Sequence, residues 1–221
     1  MNIEKAPKPY KGIAMEGVIA SWYAKNTRSS LGEFQALARR IAAELPPRAA
    51  VLEIAPGPGY LAIELAKLGA YRVTGLDISH SFVRIAQENA AQAGANVAFR
   101  HGDAAAMPFA DGSFDYVVCR AAFKNFGDPR GALAEMHRVL KPGGTALIVD
   151  LRKDAKRGAI ADEVAKMRLG PVSALATRLT LHALKARAYT QADFAALLAA
   201  SPFGGGRIEA GGLGFEIWLV K

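Results

Sequence analysis

The stretch from Ala49 to Gly69, AAVLEIAPGPGYLAIELAKLG, limits what this chain can fold into more than any other. Val51, Leu52 and Ile54 predict a short buried strand, and Leu61, Leu65 and Leu68 recur at helical spacing. Pro56-Gly57-Pro58-Gly59 between them admits only a tight loop. A strand that passes through such a loop into a helix leaves the first helical N–H groups free. With no Cβ over them, they form a floor for a nucleotide-like ligand.

Two cofactor chemistries use such a floor. Gly57-Pro58-Gly59-Tyr60-Leu61-Ala62 satisfies the loose dinucleotide pattern G-x-G-x-x-G/A. Glu53, at the carboxyl end of the strand, points the other way: its carboxylate suits the ammonium of an amino acid and repels a pyrophosphate. That favours S-adenosylmethionine (SAM). A second strand, Tyr71–Leu76, ends on Asp77, where a carboxylate can accept from both hydroxyls of a ribose. Ser79 and Ser81 remain available to cap the helix predicted over His80–Ala93, which Gly94 closes. The third strand, Asn96–Arg100, is followed by Asp103, suited to the exocyclic amine of adenine. Three acids after three successive strands line one crevice of an open parallel sheet.

The remaining pattern extends this α/β plan. Strand four covers Phe114–Cys119, a helix runs from Asp128-Pro129 to Leu140, and Lys141-Pro-Gly-Gly144 is a turn before strand five, Thr145–Leu151. Thr190-Gln-Ala-Asp193 opens a last helix to Ala200, and Arg207–Ala210 with Phe215–Val220 forms a terminal hairpin. Residues 1–12 read as an arm. Apolar spacing over Met15–Tyr23 and Leu31–Leu45 predicts two amphipathic helices, either core elements or a lid carrying Tyr10, Trp22 and Tyr23. Helices are also expected near Gly158–Arg168 and Val172–Arg187. The second is apolar at Val172, Leu175, Leu179 and Ala183, and reads as a cover over the substrate, a dimer contact or a membrane-surface helix.

Charge follows the same division. The net +8 is not uniform: residues 49–150 hold 9 Lys+Arg against 10 acids, while 1–48 hold 8 against 4 and 151–187 hold 9 against 3. A near-neutral core with basic flanks suggests an anionic substrate, an acidic partner or a membrane surface, or simply solvated helix faces. The single cysteine, Cys119, leaves no internal disulfide and no cysteine-cluster metal site, so no metal is expected. Without a signal peptide or transmembrane segment, the expected location is cytoplasmic.

The segments VLEIAPGPG, VTGLD, HGDAAAMPF, FDYVV and ALAEMHRVLKPGGTALIVD, in this order, resemble the class I SAM-dependent methyltransferases over roughly residues 49–152. Within that family the resemblance is to the ubiquinone/menaquinone-biosynthesis-like, methyltransferase type 11 group of small-molecule enzymes. It implies a Rossmann-like, doubly wound, seven-stranded sheet, mostly parallel with an antiparallel C-terminal hairpin and a helical cap. The units would be an N-terminal helical lid (1–48), a SAM-binding core (49–151), a helical cap insertion (152–187) and the last helix and hairpin (188–221). By this resemblance Glu53, Ala55, Gly57 and Gly59 surround the methionine part of SAM, and Asp77 holds the ribose. Ile78 and Phe82 pack near the adenine, Gly102, Asp103 and Ala104 meet its edge, and Arg120 faces the methionine moiety.

The reaction so implied is in-line methyl displacement onto a small-molecule acceptor, leaving S-adenosylhomocysteine (SAH). Candidates for orienting the acceptor or handling its proton are Tyr23, Arg120 and Lys124, with His182 on the cap; an anionic or aromatic acceptor fits them. Two alternatives stay open: an NAD(P)-dependent short-chain-type oxidoreductase, and a non-enzymatic SAM-binding or RNA-associated protein. The first is disfavoured because none of the six tyrosines is followed four residues on by lysine. The neutral core argues against nucleic acid. The expected assembly is a monomer or homodimer.

Overall fold

The structure, a computed structural model, describes residues 10, 11 and 15–221. The arm expected over residues 1–12 therefore lies largely outside the described residues. Seven strands form one sheet in the order β3-β2-β1-β4-β5-β7-β6, with β1 Ala50–Ile54, β2 Arg72–Asp77, β3 Val97–His101, β4 Phe114–Arg120, β5 Leu140–Leu151, β6 Arg207–Gly211 and β7 Gly214–Val220. The first five are parallel, and β7 runs antiparallel between β5 and β6. This is the expected mostly parallel sheet closed by an antiparallel hairpin. The strand order reverses between β1 and β4, so their carboxyl ends open the crevice in which such sheets bind ligands.

All five residues of β1 are buried, as a central strand covered on both faces requires. Alternation divides them. Leu52 and Ile54 point into one apolar cluster with Val117, Cys119, Leu133 and Met136 of α5 (Pro129–Val139), and Phe194 of α8 (Gln191–Ala199). Val51, with Val73 and Val118, points into the other, with Phe34, Leu37 and Ile41 of α2 (Leu31–Glu44) and Leu61 and Leu65 of α3 (Tyr60–Leu68). Among the described residues the segment 1–48 thus divides: α2 belongs to the core, and α1 (Gly17–Thr27), joined to it by a 3-10 turn at Arg28–Ser30, stands at the crevice mouth.

Two boundaries move. Strand β5 begins at Leu140 rather than Thr145, because Leu140 already pairs with Phe114 and a register shift between Phe114 and Tyr116 absorbs the Lys141–Gly144 turn. The insertion forms α6 (Ala159–Lys166) and α7 (Pro171–Arg187) close to expectation, but α7 buries no side chain. Its apolar residues Val172, Leu175 and Leu179 are 83%, 59% and 64% exposed. The stripe expected to cover a substrate faces outward, and the insertion's own small core is made instead by Ile160 and Val164 of α6, with Ala155 and Leu213. His182 on α7 is exposed as well.

Candidate functional site: a carboxylate-lined crevice at the strand tips

The loop after β1 is shaped as its glycines predict. Gly57 has φ +55° and Gly59 φ +80°, both left-handed. A Cβ on Gly59 would lie 2.7 Å from the Phe99 ring and 2.9 Å from Ala86, so this position admits no side chain. A Cβ on Gly57 would meet only the Phe82 and Tyr23 rings, each 3.9 Å away. Ala55, leading into the loop, and Ala121, just after β4, hold φ +54° and +58° without being glycine. Left-handed strain in non-glycine residues at two adjacent strand tips is typical of a ligand site, and Ala121 carried no sequence signal.

Asp77 ties the crevice together. Its carboxylate accepts from Gly57 N–H at 3.0 Å and Ser79 N–H at 2.9 Å, and its carbonyl accepts from Gly102 N–H at 2.9 Å. Ser79, not Asp77, caps α4 (His80–Gln92), its Oγ accepting from Phe82 N–H at 3.0 Å. Glu53 is 3% exposed, and its Oε2 accepts from Ala62 N–H at 2.8 Å in the first turn of α3. Burial pushes the Glu53 carboxyl up to about 8 and that of Asp77 up to about 6. Asp103 lies beyond β3, its Oδ1 engaged by Ala105 N–H at 2.9 Å in a local turn. Ile78 is half-buried beside Asp77, while Phe82 and Ala104 are buried near the crevice.

Tyr23 reaches the crevice from α1, its ring edge-on to Phe82 at 5.7 Å. Trp22, the other aromatic of the expected lid, is 65% exposed and turned away. Tyr10 instead bridges to Phe126 in the segment after β4. The start of α1 is fastened over the segment after Asp77: Glu16 accepts from His80 and Ser81 N–H at 3.0 Å each, and Ser79 Oγ donates to the Met15 carbonyl at 2.6 Å.

The two cations expected after β4 separate. Arg120 stays at the site, close enough to lower the Glu53 pKa against its burial, while its guanidinium pairs with Glu33 at 2.7 Å and lies 4.4 Å over the Phe34 ring. Lys124 leaves it. Its ammonium is buried, paired with Asp150 at 2.9 Å and donating to the Ala121 carbonyl. Asp150 also accepts from the backbone N–H of Lys124 at 2.9 Å and of Leu151 at 2.7 Å. In this arrangement Lys124 braces the loop, its ammonium committed to Asp150 and the Ala121 carbonyl. Asp150, near the end of β5, has its charged partner 26 residues away in the chain and so gives no sequence signal of this role. The Oδ1 of Asn125, next to Lys124, is buried with no hydrogen-bond partner among the described residues.

The residues present fit SAM. Two desolvated carboxylates at neighbouring strand tips flank a floor of glycine, and among the described residues buried Glu53 has one N–H donor for its two oxygens. A ligand that brings an ammonium and hydroxyl donors meets that shortage. Comparison with known proteins agrees. Residues 52–148 match the family described as the methyltransferase domain. The chain is 36% identical over 162 residues to a demethylmenaquinone methyltransferase of Deinococcus radiodurans, covering 68% of this chain and 67% of that one.

The chain belongs to the class I SAM-dependent methyltransferases. A demethylmenaquinone methyltransferase of Chlorobaculum parvum is 38% identical over 112 residues, 51% of this chain and 44% of that one. The match thus spans less than half the length of one relative and about two thirds of the other. Among solved structures, a candidate SAM-dependent methyltransferase of Methanococcus maripaludis has a TM-score of 0.74 at 24% identity, covering 96% of this chain and 95% of that one, a likeness of fold. Nothing in these findings favours an oxidoreductase.

Proposed function

We propose that this methyltransferase moves the methyl group of SAM to the hydroxyl or ring carbon of a small aromatic acceptor held beside the tip of β4. The observation that carries the reading is the pair of buried carboxylates, Glu53 and Asp77, on either side of the Gly57 loop. SAM, when bound, supplies a methyl group already activated on a sulfonium. The chain's own work is to bind, orient and exclude water. Glu53 accepts the amino-acid ammonium and gives up its proton in doing so, Asp77 accepts from the ribose, and Gly102 to Ala104 border the base. Tyr23 and Phe82 shut solvent from the loop, and Arg120 keeps a positive charge beside Glu53.

On the acceptor side, Asn125 Oδ1 offers a buried acceptor to a hydroxyl group. With Lys124 committed to Asp150, that segment offers no free amine as a base, so the acceptor's proton passes to water, which favours phenols and quinols over the far less acidic aliphatic alcohols. The relatives are named for demethylmenaquinone, which supports an aromatic acceptor. Calorimetric titration with SAM, SAH and NADH, followed by SAH release against phenols, quinols, amines and thiols, tests the reading. SAM and SAH should bind, and an aromatic hydroxyl compound should turn over. Binding of NADH without SAM, or turnover of amines or thiols alone, would overturn it.

A further inference from the structure

A second concavity lies apart from the SAM crevice. A cleft of about 450 Å³ opens between the segment at Lys11, the start of α5, the chain just after β5 and the junction of α7 with α8. Lys11, Arg130, Lys153 and Arg187 line it, with Tyr189 as an aromatic wall and Asp193 as the acid. Among the described residues, no carboxylate lies within ion-pair distance of any of these four cations. Asp193 is committed to the capping box of α8, its Oδ2 accepting from Thr190 N–H at 3.0 Å. The Lys11 ammonium is held at the wall, 3.3 Å from Tyr189 Oη and 5.5 Å from the ring centroid. Like charges gathered in a concave surface repel one another and focus a positive potential, a cost that a bound anion removes.

Two lining residues of the cleft, Lys11 and Tyr189, contact the loop after β4. Lys11 N–H donates to the Asn125 carbonyl at 2.6 Å, and Tyr10 bridges to Phe126. Tyr189 packs on Phe123 at 6.1 Å, and its carbonyl accepts from Lys153 N–H at 2.9 Å. Lys11, on one wall of the cleft, is thus bonded directly to the residue whose Oδ1 is buried without a partner among the described residues.

We infer that this cleft is the anion subsite of the methyl acceptor, and that the acceptor is a small aromatic hydroxy compound bearing a carboxylate or phosphate. Lys11, Arg130, Lys153 and Arg187 hold the oxyanion, Tyr189 meets the ring, and the hydroxyl is turned toward Asn125. The inference rests on the reading of the loop after β4 as the acceptor side, and it gives the basic flanking segments a function.

The test uses the full chain saturated with SAH, titrated with 4-hydroxybenzoate, 4-hydroxyphenyl phosphate and the neutral methyl ester of the first. The charged compounds should bind about tenfold more tightly than the ester at low salt, with the preference shrinking near 0.5 M salt. In the double variant Arg130→Gln, Lys153→Gln the preference should fall to about parity while SAM affinity stays unchanged. Absence of a preference for the charged compounds in the wild type, or its persistence in the double variant, overturns the inference. So does inorganic phosphate competing as strongly as the aromatic anions, or vesicles of phosphatidylglycerol binding the wild type and not the variant; these outcomes give the cleft to a free ion or a lipid headgroup. Failure of the wild type to bind SAM would instead strike at the methyltransferase reading, so the two failures are told apart.

Discussion

Replacing Glu53 with Gln should make the ligand-free protein more stable above neutral pH and remove a proton that SAM binding otherwise expels. Burial holds this carboxyl near 8 in the folded protein, against an ordinary value of 4.5. A raised carboxyl pKa contributes stability that is fully present below 4.5 and is lost as pH rises through 8. Between pH 5 and pH 8 that loss amounts to about 3 kcal/mol. Asp77, raised from 3.8 to about 6, adds about 1 kcal/mol in the same direction over the lower part of that range. His137, lowered by burial, works the other way, and only below about 6.5. Glutamine keeps an oxygen for the Ala62 N–H and carries no charge. Urea unfolding of the ligand-free protein at pH 5, 6.5 and 8 should show stability falling with pH in the wild type and much less in Glu53→Gln, with the variant ahead by about 3 kcal/mol at pH 8. When SAM binds at pH 7, its ammonium takes the place of the proton on Glu53, so the calorimetric heat should vary with the ionisation enthalpy of the buffer as for release of close to one proton. Equal pH slopes in variant and wild type, or binding heats independent of buffer, would refute the reasoning.

Three further outcomes are expected. Lys124→Met strands Asp150 without its buried partner and should cost about 3–5 kcal/mol in chemical denaturation, with SAM affinity unchanged in the folded fraction; an inactive variant of undiminished stability would return Lys124 to catalysis. Gly59→Ala drives a methyl group to within 2.7 Å of Phe99 at φ +80° and should destabilise by about 2 kcal/mol or more, read as a drop in thermal midpoint; a stable variant would mean that Phe99 moves freely. Asp77→Ala should weaken SAM by about 1–3 kcal/mol in calorimetry, through lost ribose contacts and a loosened Gly57 loop, and an unchanged affinity would place the ribose elsewhere.

Sequence carried the glycine loop and the sheet well, because both are written in local pattern. The β1 strand, the Pro56–Gly59 loop and Asp77 at the end of β2 follow from periodicity, from glycine chemistry and from a strand-end rule, each of which acts over a few residues. What failed to show was set by distant partners. Lys124 looked like a free cation because Asp150, its partner, is 26 residues away at the tip of another strand. Leu140 reads as the end of a helix and Lys141–Gly144 as a pure turn, because the pairing with β4 depends on a register shift that only the neighbouring strand reveals. The outward stripe of α7 has the same spacing as an inward one, and periodicity alone does not say which side the core is on.

The knot around Asp150 also bears on how this protein could acquire a new acceptor. One carboxylate fixes the loop after β4 through a backbone N–H and a buried ammonium, so random change at Lys124 or Asp150 endangers folding before it alters selectivity. The α7 surface carries no such burden, since none of its side chains is buried. A library for altered substrate range belongs around the Arg187 end of α7, where mutational tolerance and proximity to the basic cleft coincide.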